Sequence, residues 1–287
     1  MTEMSAGNDD LRTSGFAVAV PAPSSNGRRN RTRRRNMTVR MWQGALLGAI
    51  LGSWQLVVSN KLIKPVLAKS PREVWDFMFQ SARSGELFRN ARATMTAVLV
   101  AFVLASIVGV AIGLTLGVLQ TAERVVSPFL DAVNSMPRIA LAPVFIIYFG
   151  ISASAKVALA FSVVVFQIMS ATQAGVRSAD PDVLRLSVVL GSSKPQLFRK
   201  VLLPSTVPAI FAALRLGLIY SLLGVIASEM IAAREGLGLI ISKYSGLFQL
   251  EGVYGILLVL AIIAVILNQL MARVERSILR WKPPVDR

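Results

Sequence analysis

The side chains able to do chemistry in this sequence are mainly Lys, Arg, Glu and Asp, because the chain contains no cysteine and no histidine. Zinc sites built on Cys or His, cysteine nucleophiles, Ser-His-Asp triads and disulfides are therefore excluded. The apolar stretches also lack the paired aspartates that an intramembrane aspartyl protease needs. We expect no catalytic residue, no metal ligand and no cofactor. The remaining chemistry is ion handling and partner docking.

The most patterned polar segment is 178–208, which we predict to form two short helices joined by a turn at Gly191-Ser192-Ser193. Pro204 is predicted to end the second helix. Apolar side chains alternate there with basic ones: Leu197, Phe198, Val201 and Leu202 with Lys194, Arg199 and Lys200. An amphipathic surface of this kind is typical of a helix that docks into a groove of a partner protein.

A second group of candidate residues surrounds two prolines in the apolar stretch 128–149. Proline removes a backbone donor and kinks a helix. A broken helix at membrane depth is tolerated only where it faces protein or a water-filled cavity. Arg138, beside the break, has the charge to attract an anionic solute. A translocation path or gate is one interpretation and close packing is the other; the candidates are Asn134, Met136, Pro137, Arg138 and Pro143.

Ionisable groups inside apolar stretches are functional candidates, because a charge within a bilayer is costly. For Glu229, a gating or structural role and a solvated interfacial position are both open, and an acid is an odd choice for contacting an anion. Arg215 is predicted to extend to the cytoplasmic face. Lys156 is predicted to lie at the edge of a span.

These residues need elements that cross a bilayer. The chain has 287 residues, of which 54% are hydrophobic and 16% charged, and one crossing needs roughly 20 apolar residues. We predict an all-α polytopic membrane protein with about six spans, near 41–58, 94–119, 128–149, 155–174, 209–230 and 253–271. A short turn is expected at 121–124. A ladder of small residues in the second span predicts close packing of two helices: Ala105, Gly109, Gly113 and Gly117.

The net charge of +16 lies in the N-terminal tail and in the gaps between apolar blocks. Residues 1–36 are predicted to form a disordered basic cytoplasmic tail, and 37–287 the transmembrane domain. The arginine run in the tail is interpreted as a topology signal, with a nucleic-acid or lipid patch as the alternative; no nucleic-acid partner is expected. Six spans place both basic termini in the cytoplasm, although the basic residues of 60–92 fit an outside loop poorly. A cleaved signal peptide is the alternative to an uncleaved first span.

The 178–208 segment resembles the cytoplasmic coupling loop of binding-protein-dependent ABC importer permeases, written EAA, three residues, Gly, nine residues, I-x-L-P. Here nine residues separate Gly191 from Val201-Leu202-Leu203-Pro204. The front of the motif departs from the family, because Arg185-Leu186-Ser187 stands where the family has Glu-Ala-Ala. A cation thus replaces an anion at one position of the expected ATPase contact.

The resemblance extends over about residues 65–281 and is closest to the nitrate, aliphatic sulfonate and taurine branch. Each matching stretch is weak alone, but their order and spacing together are specific. They are Ser70-Pro71 with Val74-Trp75, Pro137-Arg138-Ile139-Ala140 with Pro143, Phe149-Gly150-Ile151, Leu214-Arg215-Leu216, Ala227-Ser228-Glu229-Met230 and Gly236-Leu237-Gly238.

The resemblance implies a type I ABC importer permease fold in the bacterial inner or plasma membrane. Two permease copies, expected to be a homodimer, form the path for a small anionic solute through the lipid bilayer. Two cytoplasmic ATPase subunits bind the coupling loops, and an extracytoplasmic binding protein delivers the solute. The coupling residues implied are Arg185, Gly191, Ser192, Gln196, Leu197, Phe198, Arg199, Leu203 and Pro204.

The chain has no Gly-x-x-x-x-Gly-Lys-Ser/Thr loop to cradle ATP phosphates, so we expect a transport subunit and not an enzyme. A stand-alone channel or secondary transporter is the main alternative. The absence of a detectable internal repeat and the presence of a patterned loop disfavour it. A membrane-embedded enzyme and a membrane tether for nucleic acid are further alternatives.

Overall fold

The computed structural model describes residues 69–279 and, before them, residues 41–42, 44–46, 48–49, 52–56 and 58–59. These parts of the chain contain helices, turns and loops and no β-strand. Every described residue between 41 and 59 is helical, where the sequence predicts the first span. The tail predicted at 1–36 lies outside the described residues. The predicted all-α fold class is confirmed.

The helices of residues 69–279 are α1 (Pro71–Arg83), α2 (Glu86–Val118), α3 (Gln120–Asn134), α4 (Ala142–Phe149), α5 (Ala153–Arg177), α6 (Pro181–Val189), α7 (Lys194–Leu197), α8 (Leu203–Ile231), α9 (Leu237–Gly246) and α10 (Leu250–Ile278). A 3-10 turn, Arg138–Leu141, precedes α4, and a π-helical turn, Phe198–Leu202, joins α7 to α8. Of the helices described, α2, α5, the continuous 194–231 helix and α10 are long and apolar enough to cross a membrane. A fifth candidate is the pair formed by α3 and 138–149, which is bent by 78°.

The contacts between α2 and α5 decide whether the bent pair crosses the membrane. Residues of α2 contact residues of α5 in the same order along both helices: Gly109 with Ile168, Gly113 with Thr172, and Gly117 with Val176. The two spans are therefore parallel, and the chain between them must return to the opposite face. Residues 120–152 thus make a crossing of their own, broken near Pro137 as the sequence predicts.

The small residues of α2 let it lie close against α5. A Cβ added at Gly113 would come 2.6 Å from the backbone oxygen of Met169, and one at Gly109 would come 2.8 Å from that of Val165. No side chain fits between the two backbones at these positions, so the predicted close packing is confirmed. α8 then packs antiparallel to α5, because Gly175 meets Ala209 while Gly224 meets Ala160.

Two local predictions were wrong. Pro204 does not end a helix, because it lies near the beginning of α8, inside the helix that continues from 194 to 231. The preceding π-helical turn, closed by the bond from Leu203 N to Phe198 O, widens the helix and leaves space for the proline ring. The turn expected at 121–124 is instead helical, because the chain changes direction at Leu119 and α3 begins at Gln120.

Candidate functional site

A buried ion pair lies at the end of the spans opposite the 178–208 segment. The carboxylate of Glu229 on α8 is fully buried and lies 3.0 Å from the ammonium of Lys156 on α5, which is 5% exposed. The hydroxyl of Thr94 on α2 donates to the same carboxylate at 2.9 Å. The backbone N–H of Gly238 also donates to it at 2.9 Å. One acid thus joins three spans and the start of α9.

Further hydrogen bonds fasten the loop between α8 and α9 to this ion pair. The N–H of Gly236 donates to Asn90 Oδ1 at 2.7 Å, and the N–H of Leu237 donates to Thr94 Oγ1 at 2.9 Å. The ammonium of Lys156 donates to the backbone oxygen of Glu235. We call Asn90, Thr94, Lys156 and Glu229, with the backbone of 235–238, the buried polar cluster.

Gly236 is required by the geometry of the buried polar cluster. Its φ is 133°, a conformation that residues with a side chain rarely adopt. A Cβ at this position would also collide with the carboxylate of Glu229. The Gly236-Leu237-Gly238 stretch therefore brings three backbone N–H groups against polar side chains without steric conflict.

The buried polar cluster bears on two expectations. Glu229 has no exposed surface, which excludes the solvated interfacial position. Lys156 lies in the first turn of α5, at the edge of the span as expected, and is buried there because Glu229 compensates its charge. The sequence contains a signal for this ion pair, a single lysine in one apolar stretch and a single glutamate in another. The sequence prediction named both residues but did not pair them. A gating or structural role for Glu229 stays a prediction.

Arg138 satisfies backbone acceptors around the break between α3 and α4. Its guanidinium donates to the backbone oxygen of Ser162 on α5, and to Val133 O and Asn134 Oδ1, each at 3.3 Å. It also stacks over the ring of Phe166 at 3.8 Å. The cation thus holds the bent pair against α5. Its predicted attraction for an anionic solute is untested.

The other predicted path residues lie close to the same break. Met136 is 50% exposed, Pro137 is extended, and Pro143 lies in the first turn of α4. Arg215, predicted to extend to the cytoplasmic face, forms an ion pair with Glu275 near the C-terminal end of α10. The approach of α10 to α8 supplies that partner, which the sequence alone does not indicate.

The 178–208 segment forms a helical hairpin, with α6 and α7 joined by a turn in which Gly191 has a φ of 79°. Ser193 and Gln196 form a capping box at the start of α7, so the Gln196 side chain accepts the Ser193 N–H at 2.9 Å. Arg185 is largely exposed, with Asp182 at 3.8 Å; exposed pairs of this kind contribute little stability.

The exposed apolar surface of the hairpin lies on α6. None of its residues is buried. Four apolar side chains occupy one side of the helix and its C-terminal end, at i, i+3, i+6 and i+7: Val183, Leu186, Val189 and Leu190, which are 45%, 58%, 83% and 75% exposed. Leu197 and Phe198, on which the sequence prediction concentrated, are half-buried. We call Val183, Leu186, Val189 and Leu190 the α6 apolar face.

Residues 107–280 match the family described as binding-protein-dependent transport system inner membrane component. The chain belongs to this family. The permease is 27% identical to the taurine transport system permease protein TauC of Escherichia coli (strain K12), over 84% of this chain and 89% of that protein. It is 31% identical to the riboflavin transport system permease protein RibX of Chloroflexus aurantiacus (strain ATCC 29366 / DSM 635 / J-10-fl), over 81% of this chain and 87% of that protein.

Solved structures share the fold of the permease. The inward-facing MetNI methionine ABC transporter contains a chain that aligns with a TM-score of 0.59 and 21% identity, covering 67% of this chain and 95% of that one. The predicted type I ABC importer permease fold is confirmed. The permease is accordingly a membrane-spanning subunit of an ABC importer for small solutes. Importers of this class combine permeases with ATPase subunits and a substrate-binding protein.

Proposed function

We propose that the permease forms the translocation path for a small anionic solute and is driven by a separate ATPase that docks on the 178–208 segment. The observation that carries this proposal is the α6 apolar face. Exposed apolar side chains on a short helix that packs mainly against α7 leave a surface for a partner to cover. An aqueous environment would otherwise disfavour these four residues.

A continuous helix connects that surface to the other side of the molecule. Residues 194–231 form one 38-residue helix, about 57 Å long at 1.5 Å per residue. It begins in the hairpin and ends in the buried polar cluster at Glu229. When the ATPases close on ATP, movement of the hairpin is expected to be transmitted along this helix, and rocking of the spans alternates access.

The proposed assembly has two copies of this chain, two ATPase subunits and an extracytoplasmic binding protein, with both termini of the 37–287 domain in the cytoplasm. The ATPase contact is proposed to include Arg185, Gly191, Ser192, Gln196, Leu197, Phe198, Arg199, Leu203 and Pro204. The path or gate is proposed to include Asn134, Met136, Pro137, Arg138, Pro143 and Glu229. The similarity to a taurine permease supports an anionic sulfonate-type solute, and the similarity to a riboflavin permease makes riboflavin the informative contrast.

The docking proposal is tested by co-purification of the tagged permease with its ATPase in mild detergent. L186D with V189D places two charges in the α6 apolar face and is expected to lose the ATPase. V188D is the matched control, because Val188 is 59% exposed on the opposite side of the same helix. Retention of the ATPase by the double variant would contradict docking on this face, as would equal loss by the control.

A further inference from the structure

A cavity of about 890 Å³ lies between α2, the end of α4, the start of α5 and the loop before α9. It adjoins the buried polar cluster at Glu235 and lies on the exposed side of α2. Its wall is apolar along the helices and includes Val100, Leu104, Phe149 and Phe161. Of these, Val100, Leu104 and Phe149 are 44%, 46% and 50% exposed. The cavity is therefore open to the environment around the spans.

The charged side chains of the cavity are gathered at one end. Arg89 and Arg92 lie one turn apart on α2, and Glu235 lies in the loop beside them. In the part of the chain that the structure describes, neither arginine forms an ion pair or a side-chain hydrogen bond, and both are exposed. The hydroxyl-bearing residues Thr96 and Ser154 line the same end. The cavity thus has a net charge of +1 at its mouth and an apolar interior.

The mouth lies where a membrane surface is expected. Arg92 is the last charged residue of α2, and 93–118 is uncharged. Exposed aromatic residues lie at this end of the spans, including Phe88 and Tyr148 at 74% and 81% exposed, as they do at a bilayer interface. From Thr96 to Val108, the last lining residue on α2, the helix rises about 18 Å. That distance is close to the depth of one leaflet, about 15 Å.

We propose that this cavity binds one anionic phospholipid, with the headgroup phosphate on Arg89 and Arg92 and an acyl chain in the apolar interior. A phospholipid of charge −1 matches the net charge of the mouth. A glycerol headgroup can donate hydroxyl hydrogen bonds to the Glu235 carboxylate, which a second phosphate would repel. A small polar solute such as a sulfonate has no group to cover the wall formed by Val100, Leu104 and Phe161. Two arginines at the rim of an apolar cavity suit a headgroup phosphate, because a guanidinium can bind phosphate through paired hydrogen bonds.

The test uses the full-length permease, with its ATPase where the two co-purify, in nanodiscs of equimolar phosphatidylglycerol and phosphatidylcholine with identical acyl chains. Native mass spectrometry counts the lipid that remains bound after release. The wild type is expected to retain one phosphatidylglycerol. R89Q with R92Q is expected to reduce that preference roughly tenfold or more. R234Q, an exposed arginine of the adjacent loop that does not line the cavity, is the control and should retain the lipid.

A second variant tests the apolar interior independently of the charges. A158F places a ring in the cavity and should displace the lipid of either headgroup, whereas A111F, on an exposed part of α2 that does not line it, should not. No enrichment of phosphatidylglycerol in the wild type would overturn the proposal. Unchanged retention by both R89Q/R92Q and A158F would do so as well. A photoreactive residue at position 104 that crosslinks to a second copy of this chain instead of lipid would assign the cavity to a protein interface.

Discussion

Glu229 and Lys156 are each unfavourable within a bilayer and tolerable only together. Their separation of 3.0 Å, with Thr94 and Gly238 completing the carboxylate's hydrogen bonds, compensates the loss of water. Neither group is exposed enough to bind a passing solute in the arrangement described. We therefore propose that the pair influences the solute path only through the helices that it joins.

Removing one charge of this pair is expected to destabilise the permease more than removing both. E229Q and K156M should each destabilise the permease by about 3–5 kcal/mol, because the remaining charge is buried without its partner. The E229Q/K156M double variant should lose much less stability than the sum of the losses in the two single variants. Thermal unfolding of the detergent-solubilised permease gives the double-mutant cycle. Additive losses would mean that the two charges do not interact.

At the scale of elements, the parallel packing of α2 on α5 depends on glycine at the points of closest approach. G113A is expected to lower the unfolding temperature, because the added methyl group lies 2.6 Å from a backbone oxygen of α5 that cannot move aside alone. G246A is the matched control, since no atom lies within 4 Å of the added group. Equal thermal stability of the two variants would contradict the proposed role of the small residues.

The hairpin of α6 and α7 is the element that we propose connects the permease to its energy source. The turn at Gly191 has a φ of 79°, and proline cannot adopt a positive φ. G191P is therefore expected to abolish ATP-driven uptake while membrane insertion remains normal. F198D should do the same by placing a charge in the π-helical turn. Uptake at the wild-type rate in both variants, measured with matched membrane levels, would show that the hairpin does not couple.

At the scale of the whole molecule, local patterns in the sequence predict local structure. The break near Pro137, the turn at Gly191 and the close packing at Gly113 each follow from the conformational limits of one residue. The Lys156–Glu229 and Arg215–Glu275 pairs could not be predicted in this way, because their members are far apart in sequence and meet only when α8 packs against α5 and α10. Pro204 was misjudged because a widened turn of five residues accommodates it.

For the candidate site, too, local sequence patterns do not predict the features that depend on how the helices pack. The spacing from Gly191 to Pro204 indicated the segment proposed to dock the ATPase, but its most exposed apolar residues, Val189 and Leu190, lie before that glycine. Their exposure depends on how α6 projects from the spans. The contacts of Arg138 with Ser162 and Phe166 likewise depend on the 78° bend of the broken span.

The central claim, that a separate ATPase drives solute through this permease, is tested most directly by uptake in proteoliposomes. The permease is reconstituted with its ATPase and binding protein. Four solutes are then offered in turn: taurine, a second alkanesulfonate, nitrate and riboflavin. We predict accumulation of one of the sulfonates or of nitrate only when ATP and both partners are present, and its loss in L186D/V189D but not in V188D. Uptake by the permease alone, without ATPase or ATP, would contradict the claim and identify a self-sufficient channel or carrier.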